Sequence, residues 1–166
     1  SVKVQSIFEE IPSQLQKYEK RFSFNAIQKD AIYRDYKDTF FWLQESMIVN
    51  IVYNTTEPNI GLRLNRESSA LKCYMGDTGL LISLAFDEEV YKKILFNKLA
   101  FNEGMSMENI VAQMLTATGK NYTFSSLNKF RNKYKEYLST GYVLHIDDLK
   151  VEEDIVFLLI YMTCLL

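Results

Sequence analysis

Apolar residues recur at helical spacing from the start of the chain. Val4, Ile7, Phe8, Ile11 and Leu15 fall on one stripe and predict an amphipathic helix. Pro12 stands inside that stripe and has no backbone N–H, so a kink or a restart is expected there. Ser23 is placed to cap a second, short helix through Phe24, Ile27 and Ala31. A third helix follows, with Tyr36, Phe40, Leu43 and Met47 on one face. The pattern then becomes that of a strand at Ile48, Val49, Ile51, Val52 and Tyr53. Residues 55–59 read as a turn, and 60–64 as a returning second strand. Three helices followed by a two-stranded ribbon is the plan of a winged helix, although a helical bundle with one hairpin has the same periodicity.

Past Arg66 the pattern shifts. Residues 70–75 predict a short strand and Gly76-Asp77-Thr78-Gly79 a turn, with Asp77 as a cap for a short helix over 80–86. Asp87, Glu88 and Glu89 read as loop or helix start, before a stripe of Val90, Ile94, Leu95 and Leu99. Met107, Ile110, Val111, Met114 and Leu115 form the cleanest helical face in the sequence. Leu127, Phe130, Tyr134 and Leu138 mark a later helix, capped by Ser125 or Ser126. Two strands, 142–146 and 155–162, close the chain around an acidic turn. The expected fold class is therefore α/β in the broad α+β sense, with a boundary near residue 66.

Composition adds three constraints. With 166 residues, 48% of them hydrophobic and 24% charged, the chain is large enough for one domain or two small ones and is not of disordered type. Nineteen basic against 21 acidic residues give a net charge of −2, so binding to nucleic acid requires a local patch. Cys73 and Cys164 read as reduced core thiols, which points to the cytoplasm. The apolar run 155–162 is far short of the ~20 residues a membrane-spanning helix needs, so no membrane partner is expected.

Catalytic motifs are sparse. Gly119-Lys120 is followed by Asn121, and Met114 stands where a phosphate-binding loop needs its first glycine. No cofactor site is therefore expected in this chain. His145, the one histidine, sits in an apolar strand and reads as structural. Asp147, Asp148, Glu152, Glu153 and Asp154 read as a solvated hairpin turn in preference to a cation site. A basic row is more informative. Lys129 and Lys133, and Arg131 and Lys135, are four apart, and no acid occurs between Lys120 and Lys135. With Tyr122, Tyr134 and Tyr137 nearby, Lys129, Arg131, Lys133 and Lys135 form the candidate nucleic-acid-binding residues. A solvated helix face is the plainer reading of the same row. The third helix carries Arg34 and Lys37 against Asp35, Asp38 and Glu45, which favours protein contact over groove reading.

Several stretches are similar to one family. They are 7–15 (IFEEIPSQL), 33–50 (YRDYKDTFFWLQESMIVN), 72–81 (KCYMGDTGLL), 102–115 (NEGMSMENIVAQML), 123–134 and the closing YMTCLL. GDTGLL and NEGxxxEN are the most specific of these elements. The chain resembles the C-terminal domain found behind the ATPase module of a large group of prokaryotic AAA-type ATPases of unknown function. That resemblance implies a winged helix over 1–66 and a domain over 67–166 related to the PD-(D/E)xK nuclease fold. It implies an upstream module that binds ATP, and a helix-borne carboxylate, here Glu108, as the candidate catalytic and Mg²⁺-ligating residue. Such chemistry also needs an Asp strand and a Glu-x-Lys strand before the basic helix. The sequence departs from the pattern here, since Leu115 is followed at once by Thr116-Ala117-Thr118-Gly119-Lys120-Asn121-Tyr122. A shorter gap falls near Glu88-Glu89. Either the two strands are deleted, or they belong to residues outside this sequence.

The function expected on these grounds is a non-catalytic accessory domain of such an ATPase, contacting nucleic acid or a protein partner. An Mg²⁺-dependent nuclease and a homo-oligomerising interaction module are the alternatives.

Overall fold

The computed structural model describes residues 2–17, 19, 21–55, 64–96, 104–117, 136, 140–145, 149–152 and 155–165. The chain is mixed α and β. It begins with α1 (Val2–Gln16), a 3-10 turn (Phe24–Ala26) and α2 (Tyr33–Glu45), followed by the strands β1 (Val49–Thr55) and β2 (Arg66–Met75). Helices α3 (Thr78–Ala85), α4 (Glu88–Leu95) and α5 (Gly104–Ala117) come next, then β3 (Gly141–His145), β4 (Lys150–Glu152), β5 (Ile155–Leu159) and a 3-10 turn (Ile160–Leu165).

Helix α1 runs unbroken through Pro12, where an interruption was expected; Ile7, Ile11, Pro12 and Leu15 are all buried. Burial of that stripe outweighs the loss of one helical hydrogen bond. The second helix reduces to the single 3-10 turn, and Ser23 makes no side-chain cap. Its backbone is claimed instead by α1. The buried Gln14 donates its Nε2 to Ser23 O at 3.0 Å and accepts from Ser23 N at 2.8 Å. Phe22 N then donates to Leu71 O on β2 at 2.7 Å. Phe22 and Phe24 pack on Phe40 of α2, with ring centroids 5.2 and 5.9 Å away.

Tyr36, Phe40 and Leu43 of α2 are buried as their spacing predicts. Met47 is not: it lies beyond the helix, 84% exposed, with φ 55°. Ile48 N donates to Leu43 O at 3.1 Å and Met47 N to Gln44 O at 2.9 Å. These two bonds form a Schellman stop that uses methionine at the left-handed position glycine usually takes.

The ribbon differs from the expected one. β1 pairs antiparallel with β2, from Val49 opposite Met75 to Thr55 opposite Arg66, with a register shift after Tyr53. The returning strand is therefore Arg66–Met75, which joins the segment read as a separate strand to the ribbon and crosses the boundary expected at 66. Leu64 lies in a turn, and 56–63 are outside the described residues. The second half of β2 is buried from Leu71 to Met75.

The closing strands also differ from a hairpin. β3 and β5 are parallel, and β4 pairs antiparallel with β5 to give the order β3-β5-β4. Glu152 of the acidic cluster lies in β4. Apart from Glu136, which lies in a turn, the helix expected over 127–138 is outside the described residues. No helix among the described residues is long and apolar enough to cross a membrane.

Candidate functional site

The polar chemistry of the described residues concentrates where α5 lies across β2. Lys72 and Tyr74 are two apart on β2, so their side chains share a face of the strand. Both reach Glu108 on α5. Lys72 Nζ donates to Glu108 Oε1 at 2.5 Å, and Tyr74 OH donates to the same oxygen at 3.0 Å. The Lys72 and Glu108 side chains are 10% and 22% exposed. Glu108 Oε2 is buried and has no hydrogen-bond partner among the described residues. Lys72 Nζ also stands 5.6 Å from the centre of the Tyr74 ring.

One residue along, Asn109 is fully buried and holds the end of β2. Its Oδ1 accepts from Met75 N at 2.8 Å, and its Nδ2 donates to Met75 O at 3.1 Å. The same Nδ2 donates to Thr78 Oγ1 at 3.0 Å. A turn further on, Gln113 Oε1 accepts from the Thr78 hydroxyl at 2.9 Å and from Thr78 N at 3.2 Å. Asp77 caps α3 by accepting from Leu80 N at 2.7 Å, as its position predicts. The GDTGLL and NEGxxxEN elements thus meet: the helix of the second grips the turn of the first.

This arrangement explains a misreading of α5. Of the face read as most apolar, Leu115 is buried, whereas Met107, Ile110, Val111 and Met114 are only partly buried. The buried stripe is Met105, Ser106, Asn109, Ala112 and Leu115. A helix half-buried on most sides has little amphipathic contrast, and its central contact is an amide, not a methyl group.

Glu108 is the one expected site residue within the described region. Its carboxylate is paired with an ammonium, and an ammonium 2.5 Å away repels a divalent cation. Among the described residues no group of three or more His, Cys, Asp or Glu side chains converges to hold a metal. These residues do not fit an Mg²⁺ site, which needs several oxygen ligands in octahedral array. Lys129, Arg131, Lys133 and Lys135 lie outside the described residues, as do Asp147, Asp148, Glu153 and Asp154. Lys72, Tyr74, Asn109 and Gln113 were missed by sequence reasoning. Their signal was available as Lys72 in a strand otherwise apolar from Leu71 to Met75 and as Asn109 on an apolar helix.

A cleft of about 550 Å³ lies beside the turn, lined by Thr78, Gly79, Ile82, Ser83, Phe86 and Glu88. Its walls are largely apolar. Cys73 is buried with a free thiol, and that burial pushes its pKa up.

A fold that joins a helical unit to two small sheets, with a buried polar junction between α5 and β2, defines a small α+β domain. A family model, "Domain of unknown function (DUF8612)", matches residues 1–90, more than half the chain, and the chain belongs to that family. No curated protein and no solved structure matches it.

Proposed function

We propose that this chain is a non-catalytic accessory domain of a prokaryotic AAA-type ATPase, acting by contact with nucleic acid or a protein partner. The observation that carries the non-catalytic part is the use made of Glu108. Its Oε1 is engaged by both Lys72 and Tyr74, so the carboxylate serves to anchor α5 on β2. Metal ligation would need a carboxylate oxygen open to the ion, whereas Oε1 is shared by two donors and Oε2 is buried. The ATPase part is supported by the resemblance carried by GDTGLL and NEGxxxEN.

Incubation of the chain with supercoiled plasmid in Mg²⁺ or Mn²⁺ tests this reading. It predicts no nicking, by the parent chain or by Glu108→Ala. Metal-dependent nicking that disappears in Glu108→Ala overturns it. The nuclease is the second reading, favoured by Glu108 Oε2, a buried acceptor without a donor among the described residues. Nucleic-acid contact has its own measurement, the salt dependence of binding to a labelled duplex. Replacing Lys129, Arg131, Lys133 and Lys135 with Ala should weaken binding and flatten the log–log salt slope, by about 0.9 for each phosphate no longer neutralised. Unchanged binding removes the basic row from the proposal.

A further inference from the structure

Helix α2 turns two aromatic rings outward. Phe41 is 65% exposed and Trp42 52%, whereas Tyr36, Phe40 and Leu43 fill the core from the opposite side. On a helical wheel Asp38, Phe41 and Glu45 (i, i+3, i+7) fall in line, and Trp42 lies one turn from Asp38. Asp38, Gln44 and Glu45 are exposed around the rings, so the patch is ready to meet another molecule without rearrangement.

Its charge pattern says what kind of molecule. From Asp38 to Glu45 there are two carboxylates and no cation. Lys37 stands one turn before Phe41 and Arg34 one turn before Asp38, so the cations border the patch on the side of the helix start and the carboxylates on the side of Trp42 and the helix end. The last turn of α2 carries no basic residue and ends with Glu45. That places a negative side chain at the negative end of the helix dipole, an unfavourable arrangement that an incoming cation would offset. Exposed aromatic faces flanked by carboxylates attract ammonium and guanidinium groups through cation–π and ionic contacts together.

We propose that Phe41, Trp42, Asp38 and Glu45 form a docking surface for a cationic protein segment, one that sets an apolar side chain and Lys or Arg side chains against the two rings. The proposal rests on reading the chain as a contact module and names the class of partner for one of its faces.

The test is a phage-displayed library of random twelve-residue peptides, panned on the chain and counter-panned on the double variant Phe41→Ser/Trp42→Ser. Both rings are exposed, so the variant should fold, and circular dichroism checks that it does. Clones of net positive charge with an apolar residue, binding the double variant at least about tenfold more weakly, are expected. Synthetic peptides from those clones should shift the fluorescence of Trp42, the chain's one tryptophan. They should also lose affinity for Asp38→Lys/Glu45→Lys. Acidic or neutral consensus clones, clones indifferent to the double variant, or no enrichment overturn the proposal. Duplex DNA that shifts Trp42 fluorescence and binds the double variant less well also overturns it, in favour of a nucleic-acid face. None of these outcomes bears on plasmid nicking or on the basic row, so this proposal can fail while the accessory-domain reading stands.

Discussion

Lys72 on β2 and Glu108 on α5 are 36 residues apart in the chain and 2.5 Å apart at their charged atoms. The pair joins the ribbon to the helix that also grips the GDTG turn. Its consequences are structural and measurable.

Lys72→Met should destabilise the chain by about 2 kcal/mol, because it leaves the carboxylate largely buried beside one hydroxyl donor. Glu108→Leu should cost a similar amount, by removing the carboxylate that faces the largely buried ammonium. The double variant should recover much of the loss, since no buried charge remains at that junction. Urea denaturation of the four proteins gives the coupling energy directly. Strictly additive losses would mean that the two groups do not interact.

Asn109 satisfies both backbone groups of Met75. Asn109→Ala strands a buried N–H and a buried carbonyl at once and should cost about 2–4 kcal/mol. Asn109→Asp keeps the acceptor but removes the donor, and should be no better than Ala near neutral pH. Thermal melts of both variants check this, and a loss below about 0.5 kcal/mol for Asn109→Ala would show that water replaces the amide without penalty.

The end of α2 should respond to glycine in opposite directions at two positions. Met47→Gly relieves a left-handed residue that packs against little, and should stabilise by about 0.5–1 kcal/mol after the added unfolded-state entropy is counted. Gly76→Ala should destabilise by about 1–3 kcal/mol, because the new Cβ would lie 2.4 Å from the Met47 carbonyl oxygen. Denaturant midpoints of the two variants, moving in opposite directions, check the pair.

Stability should decline at alkaline pH. Burial holds the Cys73 thiol above its ordinary value of 9.0. Burial, with the neighbouring Tyr33, pushes Tyr53 up from 10.0 to about 12. In both cases the folded chain keeps a proton that the unfolded chain releases. The contribution is complete below pH 9 for the thiol and below pH 10 for the phenol, and is lost as pH rises beyond those values. Cys73→Ala should flatten the part of the decline that begins near pH 9. An unchanged profile in urea midpoints across roughly pH 8 to 11 would exclude the thiol as its source.

Local periodicity in the sequence was enough for α1, α2, α3 and β1, because the signal of each is written in nearby residues; α1 and α2 bury regular stripes, and α3 and β1 bury Leu81 and Val49. The same was true of the Asp77 cap, which acts across three residues. Glu108 was legible only through its resemblance to a family motif. Its partners were not, since Lys72 and Tyr74 lie 36 and 34 positions away and no local pattern encodes such a distance. Tertiary packing decided the rest. It carried α1 through Pro12 and reduced the expected second helix to one turn, because Gln14 had claimed the backbone of Ser23. It lengthened β2 back to Arg66 and set β3 parallel to β5. At Pro12 burial of the apolar stripe outweighed a lost hydrogen bond; in the other cases backbone groups found partners distant in sequence, and the need to satisfy buried donors and acceptors overrode the local pattern.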